Sequence, residues 1–204
     1  MKNDIYEYVK QQILSGTYKE NMKLSERILC EKFNTSRTTV RESIKKLKID
    51  GWLYSVAKSG TYVAEINIKE VVESFDLRIV LEPYMVATAI PYITANDISI
   101  MKQNCSMMEN CEADKFKKYE TDNHSIIERR CTNSMIRKII VDMNNNYSRI
   151  TSATTKLSER REASIIEWKN LILAIENKNS EMAKLIMTQH VLNAYYVFLD
   201  SIKK

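Results

Sequence analysis

The sequence predicts a mainly α protein with one small β element, and three observations carry that reading. Gly 3 and Pro 2 are very low counts in 204 residues, and helix interiors tolerate both residues poorly. Apolar residues recur at helical spacing along most of the chain. One stretch, "WLYSVAKSGTYVAEI", is instead rich in aromatics, Thr and Val around Lys58-Ser59-Gly60, the composition of a β-hairpin with a glycine at its tip.

Taken in order, residues 3–15 place Ile5, Val9 and Ile13 on one face, and Ser15-Gly16 stops the run. "TYKENMKL" is polar and aperiodic and reads as a loop. Ser25 is positioned to cap a second helix with Ile28, Leu29 and Phe33 turned inward. Asn34-Thr35-Ser36 makes a short turn, and a third helix runs from Arg37 to Asp50 with Gly51 as its C′ residue. After the hairpin, Val71, Val72, Phe75, Ile79, Tyr84 and Val86 mark a further helix, which Pro83 is expected to kink. Segments 95–110, 113–131, 134–150, 154–176 and 180–202 repeat the pattern, with breaks at Thr94, Cys131-Thr132-Asn133, Ser152 and Asn177-Lys178-Asn179. Six helices of this size can enclose a core as a bundle. The expected division is 1–66 for the β-containing front and 67–204 for the helical rear.

The composition, 44% hydrophobic and 28% charged with net charge +5, suits a globular protein. No apolar run is long enough for a membrane span, and the N-terminus lacks a signal peptide's apolar core, so the expected location is cytoplasmic. Cys30, Cys105, Cys111 and Cys131 have no paired C-x-x-C spacing and read as ordinary thiols. The charge is uneven. Residues 1–66 hold nine Lys and three Arg against eight acidic residues, a surplus of four, whereas the remainder carries a surplus of one. A basic front suggests a polyanionic partner.

On a helical wheel, Val40, Ile44 and Leu47 fall on one face of the third helix, while Arg37, Arg41, Lys45 and Lys48 fall on an adjacent one, with Thr38 beside them. Ser36 can cap its first turn. Helix, short turn and helix followed by a hairpin make a helix-turn-helix with a wing. Such a helix fits the major groove, where arginine reads guanine through two parallel hydrogen bonds and Lys45 can meet a phosphate.

"GTYKENMKLSER", "FNTSRTTVRESIKKLKIDGWL" and the wing "KSGTYV" together resemble the GntR family of bacterial transcription regulators over about residues 4–65. The resemblance implies DNA contacts from Arg27, Arg37, Thr38, Thr39 and Arg41, with Lys58 and Gly60 at the wing. The loop "YKENMKL" departs from the family by lacking its usual proline-glycine.

"DLRIVLEP" and the later helices resemble the all-helical ligand-sensing FCD domain of the FadR subfamily, over roughly residues 68–200. That resemblance implies a homodimer whose operator affinity answers to a small-molecule effector, often a carboxylate held through a divalent metal such as zinc or nickel. In "YETDNHSII", Glu120 stands where the family has Asp, and His124 follows four residues later, on the same helix face. His190 in "LIMTQH" matches the last histidine of the pattern, but Trp168 replaces another, and indole offers only an N–H donor. Three readings of the rear domain stay open. Glu120, His124 and His190 hold a metal as a facial triad. A metal-free pocket of Arg78, Glu120, His124, Trp168 and His190 takes an anionic effector. Or the histidines are core residues of a bundle that only dimerises, leaving a constitutive DNA-binding dimer. Arg78 also has an ion-pair candidate in Glu82, four residues on. No nucleophile motif or glycine-rich phosphate loop accompanies these residues, so a metal-dependent enzyme is the weaker alternative to a transcription regulator.

Overall fold

A computed structural model describes residues 2–143 and 158–203, which divide into two compact units, Met1–Ile68 and Lys69–Lys204. The boundary Ser152, and the inner ends of the segments expected at 134–150 and 154–176, lie outside the described residues.

In the first unit, helix α1 spans Lys2–Leu14, α2 Glu26–Phe33 and α3 Arg37–Ile49. Capping explains the crisp start of α2 and α3. Ser25 accepts from the Ile28 amide and Ser36 from the Thr39 amide, satisfying donors that a helix start otherwise leaves unpaired. Between them, Asn34 ends α2 in the left-handed region at φ 44°, which Asn tolerates better than most residues. At the far end of α3, the Gly51 amide bonds the Lys48 carbonyl at 3.2 Å and the Trp52 amide bonds the Leu47 carbonyl at 2.8 Å. With Gly51 at φ 74°, this is a Schellman stop, and it drives Trp52 into the core.

The sheet is antiparallel and three-stranded, in the order β1 (Lys23–Leu24), β3 (Gly60–Val63), β2 (Leu53–Val56). Lys23 pairs with Tyr62 and Leu53 with Val63. Strand β1 was expected to be loop; two residues are too few to show a period. Gly60 is not at the hairpin tip either. It pairs with Val56 as the first residue of β3, and the left-handed turn residue is Lys58, at φ 60°. A side chain at Gly60 (φ 140°) would come within 2.8 Å of the Lys23 chain.

Ile5, Val9, Ile13, Leu29, Val40, Ile44, Leu47, Trp52 and Val63 form this unit's core. Ile28 departs from expectation: it is 54% exposed, because Leu29 takes the inward position on so short a helix. Tyr6 Oη donates to Asp50 at 2.7 Å, and Ser43 Oγ donates to the Lys2 carbonyl at 3.0 Å, so α3 is tied to α1 at its middle and at its C-terminal cap.

The second unit is helical throughout its described residues: α4 (Ile68–Ala89), a 3₁₀ turn Ile90–Tyr92, α5 (Ala95–Glu109), α6 (Ala113–Arg130), α7 over 134–143, α8 (Ser158–Glu176) and α9 (Ser180–Ile202). Thr94 and Asp97 form a reciprocal capping box at the start of α5. Helix α4 is assigned as continuous through Pro83. Its inward face is Val71, Phe75, Met85 and Val86, whereas Tyr84 is half-exposed, since Pro83 and Met85 on either side of it point inward. Helix α5 packs against both α6 and α8, and α8 against α9, around Met101, Phe116, Ile127, Leu171 and Met187. No described helix is long and apolar enough to cross a membrane.

Gly51→Ala should cost about 1–2 kcal/mol by forcing a Cβ into left-handed backbone, read as a lower urea midpoint. An unchanged midpoint would mean that Trp52 docks without the Schellman stop.

Candidate nucleic-acid interface and ligand site

On α3, Val40, Ser43, Ile44 and Leu47 are buried and Arg37, Thr38, Arg41, Lys45 and Lys48 are exposed. The basic face is therefore real, and it is graded. Arg37, Lys45, Lys48 and the turn residue Lys58 have no carboxylate partner among the described residues. Arg41 does: its Nε donates to Glu26 Oε2 on α2 at 3.0 Å, leaving its terminal nitrogens available. Arg27 pairs with Glu31 along α2 at 3.0 Å. Ser36 serves mainly as the cap, and its hydroxyl also lies 3.1 Å from that of Thr39. The α3 face thus offers fixed hydroxyls and three cations without a carboxylate partner among the described residues, with Lys58 a fourth on the hairpin turn, the kinds of group that phosphate positioning needs.

The rear site is built by four helices. α4 brings Arg78 and Glu82, one turn apart; α6 brings Glu120 and His124; α8 brings Arg160, Ser164, Glu167 and Trp168; α9 brings His190 and Asn193. Arg78 Nε donates to Glu82 Oε1 with both side chains buried. The second carboxylate oxygen, Oε2, lies 3.7 Å from His124 Nδ1. His124, Trp168 and His190 then close a ring of aromatic contacts, with centroids 4.8 Å, 5.4 Å and 5.5 Å apart.

Around His190 the polar groups are well matched. Glu167 Oε2 lies 2.7 Å from His190 Nδ1 and accepts from Arg160 at 3.0 Å, while Oε1 accepts from Asn193 at 2.6 Å. Burial would raise the Glu167 carboxyl, but His190 and Arg160 together hold it below its ordinary range. An ionised carboxylate can only accept, so His190 Nδ1 carries the proton. Burial likewise works against charge on Glu82, and Arg78 with His124 outweighs it, keeping that carboxyl low. Burial pushes the His124 imidazole down to about 4, against the opposing pull of Glu82. At neutral pH the cluster therefore holds two arginines, two ionised glutamates and a neutral His124.

Of the expected site residues, Arg78, His124, Trp168 and His190 come together. Glu120 does not join them through its carboxylate, which accepts from Ser164 Oγ at 2.5 Å. The expected triad of Glu120, His124 and His190 is not assembled: among the described residues no three His, Cys, Asp or Glu side chains are placed to hold a metal ion. The Glu167–His190 pairing is one that commonly supports a ligating imidazole, but the indole of Trp168 brings no donor lone pair to the set. The residues present do not fit a metal. Glu82, Arg160, Glu167 and Asn193 were missed as site residues; Glu82 entered the sequence reading only as a salt-bridge partner.

The gntR-family model of bacterial regulatory proteins matches residues 1–63, and the FCD domain model matches residues 73–193. The chain belongs to the GntR family. Among its relatives, the HTH-type transcriptional regulator YdhC of Bacillus subtilis is 26% identical over 92% of this chain and 84% of its own. The HTH-type transcriptional repressor RspR of Escherichia coli is 20% identical over 94% of this chain and 86% of its own. The solved structure of E. coli McbR/YncC superposes with a TM-score of 0.82 at 18% identity, covering 98% of both chains. GntR proteins with this FCD architecture are transcriptional regulators, not enzymes, and the helix-turn-helix implies DNA binding.

The depressed His124 value sets a pH dependence. Between about 6.5 and about 4 the unfolded chain binds a proton that folded His124 refuses, so stability falls as the pH drops through that window. The urea midpoint at pH 5 should lie below that at pH 7, and His124→Asn should shrink the difference. An equal loss in the variant would place the pH sensitivity elsewhere.

Proposed function

We propose that this GntR protein acts in the cytoplasm as a dimeric repressor, with an operator affinity set by a small polar effector held in the FCD bundle. One observation carries the effector half of this reading. The bundle keeps a cluster of charged side chains almost wholly out of water, at the meeting of four helices, where an apolar core would have been the cheaper filling. The unpaired cations and capped first turn of α3 support the DNA half. A pocket and an operator site on separate units communicate only if the effector favours one arrangement of the two DNA-binding heads, a coupling of typically ~1–3 kcal/mol. In this reading the effector meets protein groups directly, since the donor set does not suit a metal.

Selection of duplexes from a random-sequence pool by the full chain tests the function. Enrichment of a two-fold-related pair of half-sites is expected, and a pool that stays random would overturn the reading. On the selected duplex, Arg41→Ala should weaken binding by about 1–3 kcal/mol if its terminal nitrogens read a base; unchanged affinity would remove it from the contacts. Lys45→Ala should lower the salt slope by about one unit as a lost phosphate contact, and an identical slope would contradict that role.

A further inference from the structure

Three polar groups that meet at His124 have no hydrogen bond among the described residues. Glu82 Oε2 is buried and lacks a donor, with the His124 ring 3.7 Å away. Trp168 Nε1 is buried and lacks an acceptor, on a residue only 1% exposed whose ring packs edge-on against His124. The His124 nitrogens are the third group, and that side chain is 20% exposed, so the cluster meets solvent there. Buried polar groups are almost always bonded, and each one left bare is costly to the fold. An acceptor and a donor both wanting partners, beside a side chain that reaches solvent, describe a binding site by its unmet needs.

The charges narrow the occupant. Arg78 neutralises Glu82 and Arg160 neutralises Glu167, so neither arginine is left over to bind a simple anion. Glu82 Oε2 asks for a donor, best a cationic one, and Trp168 Nε1 asks for an acceptor. We infer that the site takes a zwitterionic α-amino acid, whose ammonium donates to Glu82 and whose carboxylate accepts from Trp168. Such a ligand brings no net charge into a buried site and satisfies both bare groups at once. The inference rests on the effector reading above and gives it a ligand class.

The test is binding to the full chain, by calorimetry, of each of the twenty L-amino acids, with L-lactate and propionate as controls. L-lactate replaces the ammonium of L-alanine by a hydroxyl, and propionate lacks both groups. At least one amino acid should bind, with neither control binding within tenfold of it. Glu82→Gln should weaken that amino acid at least tenfold by removing the charge its ammonium meets. Trp168→Phe, which keeps a ring and removes only the N–H, should weaken it severalfold, and this variant keeps the test decisive if Glu82→Gln fails to fold. Lactate or propionate binding as well as any amino acid, with sensitivity to Trp168→Phe, would overturn the amino-acid class and leave the effector site standing. No binding by any of the twenty-two compounds, or binding indifferent to both variants, would overturn the inference. Operator affinity unmoved by every compound would, in addition, remove support from the effector reading itself.

Discussion

The buried Arg78–Glu82 pair on α4 is the constraint around which the interior of the second unit is organised. Neither charge has water to fall back on, so each must be met by protein. Because the residues stand one helical turn apart, one oxygen of Glu82 accepts from Arg78 Nε and the other is left facing α6. That second oxygen makes His124 a neighbour of a fixed negative charge while burial keeps the imidazole neutral. From there the aromatic contacts of Trp168 and His190 follow, and His190 in turn needs Glu167, which needs Arg160 and Asn193. One pair thus propagates a polar chain through four helices. Such chains specify one arrangement of a core more sharply than apolar packing does, because shifting any helix leaves a charge exposed to nothing.

The first unit solves the opposite problem, that of holding charge outward. Its core ends cleanly at Val40, Ile44 and Leu47, and caps at Ser25, Ser36 and Gly51 define where each helix begins or stops. Two hydrogen bonds with α1 hold α3 in place, one at its middle and one at its C-terminal cap. The Glu26–Arg41 contact between α2 and α3 fixes the orientation of a guanidinium whose fork must lie in one plane to be read. A surface pair of this kind adds little to stability; what it contributes is direction.

Much of this was legible in the sequence, for physical reasons that also mark where legibility stopped. Caps and helix faces depend on residues close in the chain, so Ser36, Gly51 and the two faces of α3 follow from spacing alone. The Arg78–Glu82 pairing is equally local. What spacing could not show is which way the second Glu82 oxygen points, or that Ser164 on α8 would capture Glu120 on α6. Those outcomes depend on helices far apart in sequence. Ile28 and Tyr84 were misjudged for a smaller reason: an apolar residue beside another apolar residue can face either way, and Leu29 and Met85 took the inward places. Strand β1 is two residues long, and it exists because β3 offers it partners.

Pro83 follows Glu82 directly, and it has no amide hydrogen. Helix α4 therefore lacks one rung of its backbone ladder, the bond that residue 83 would have given to the Ile79 carbonyl. A rod missing a rung has its lowest bending stiffness there. The mechanical weak point of the unit's first helix thus adjoins the carboxylate on which the buried polar chain hangs, so a force applied to Glu82 acts where α4 yields most easily.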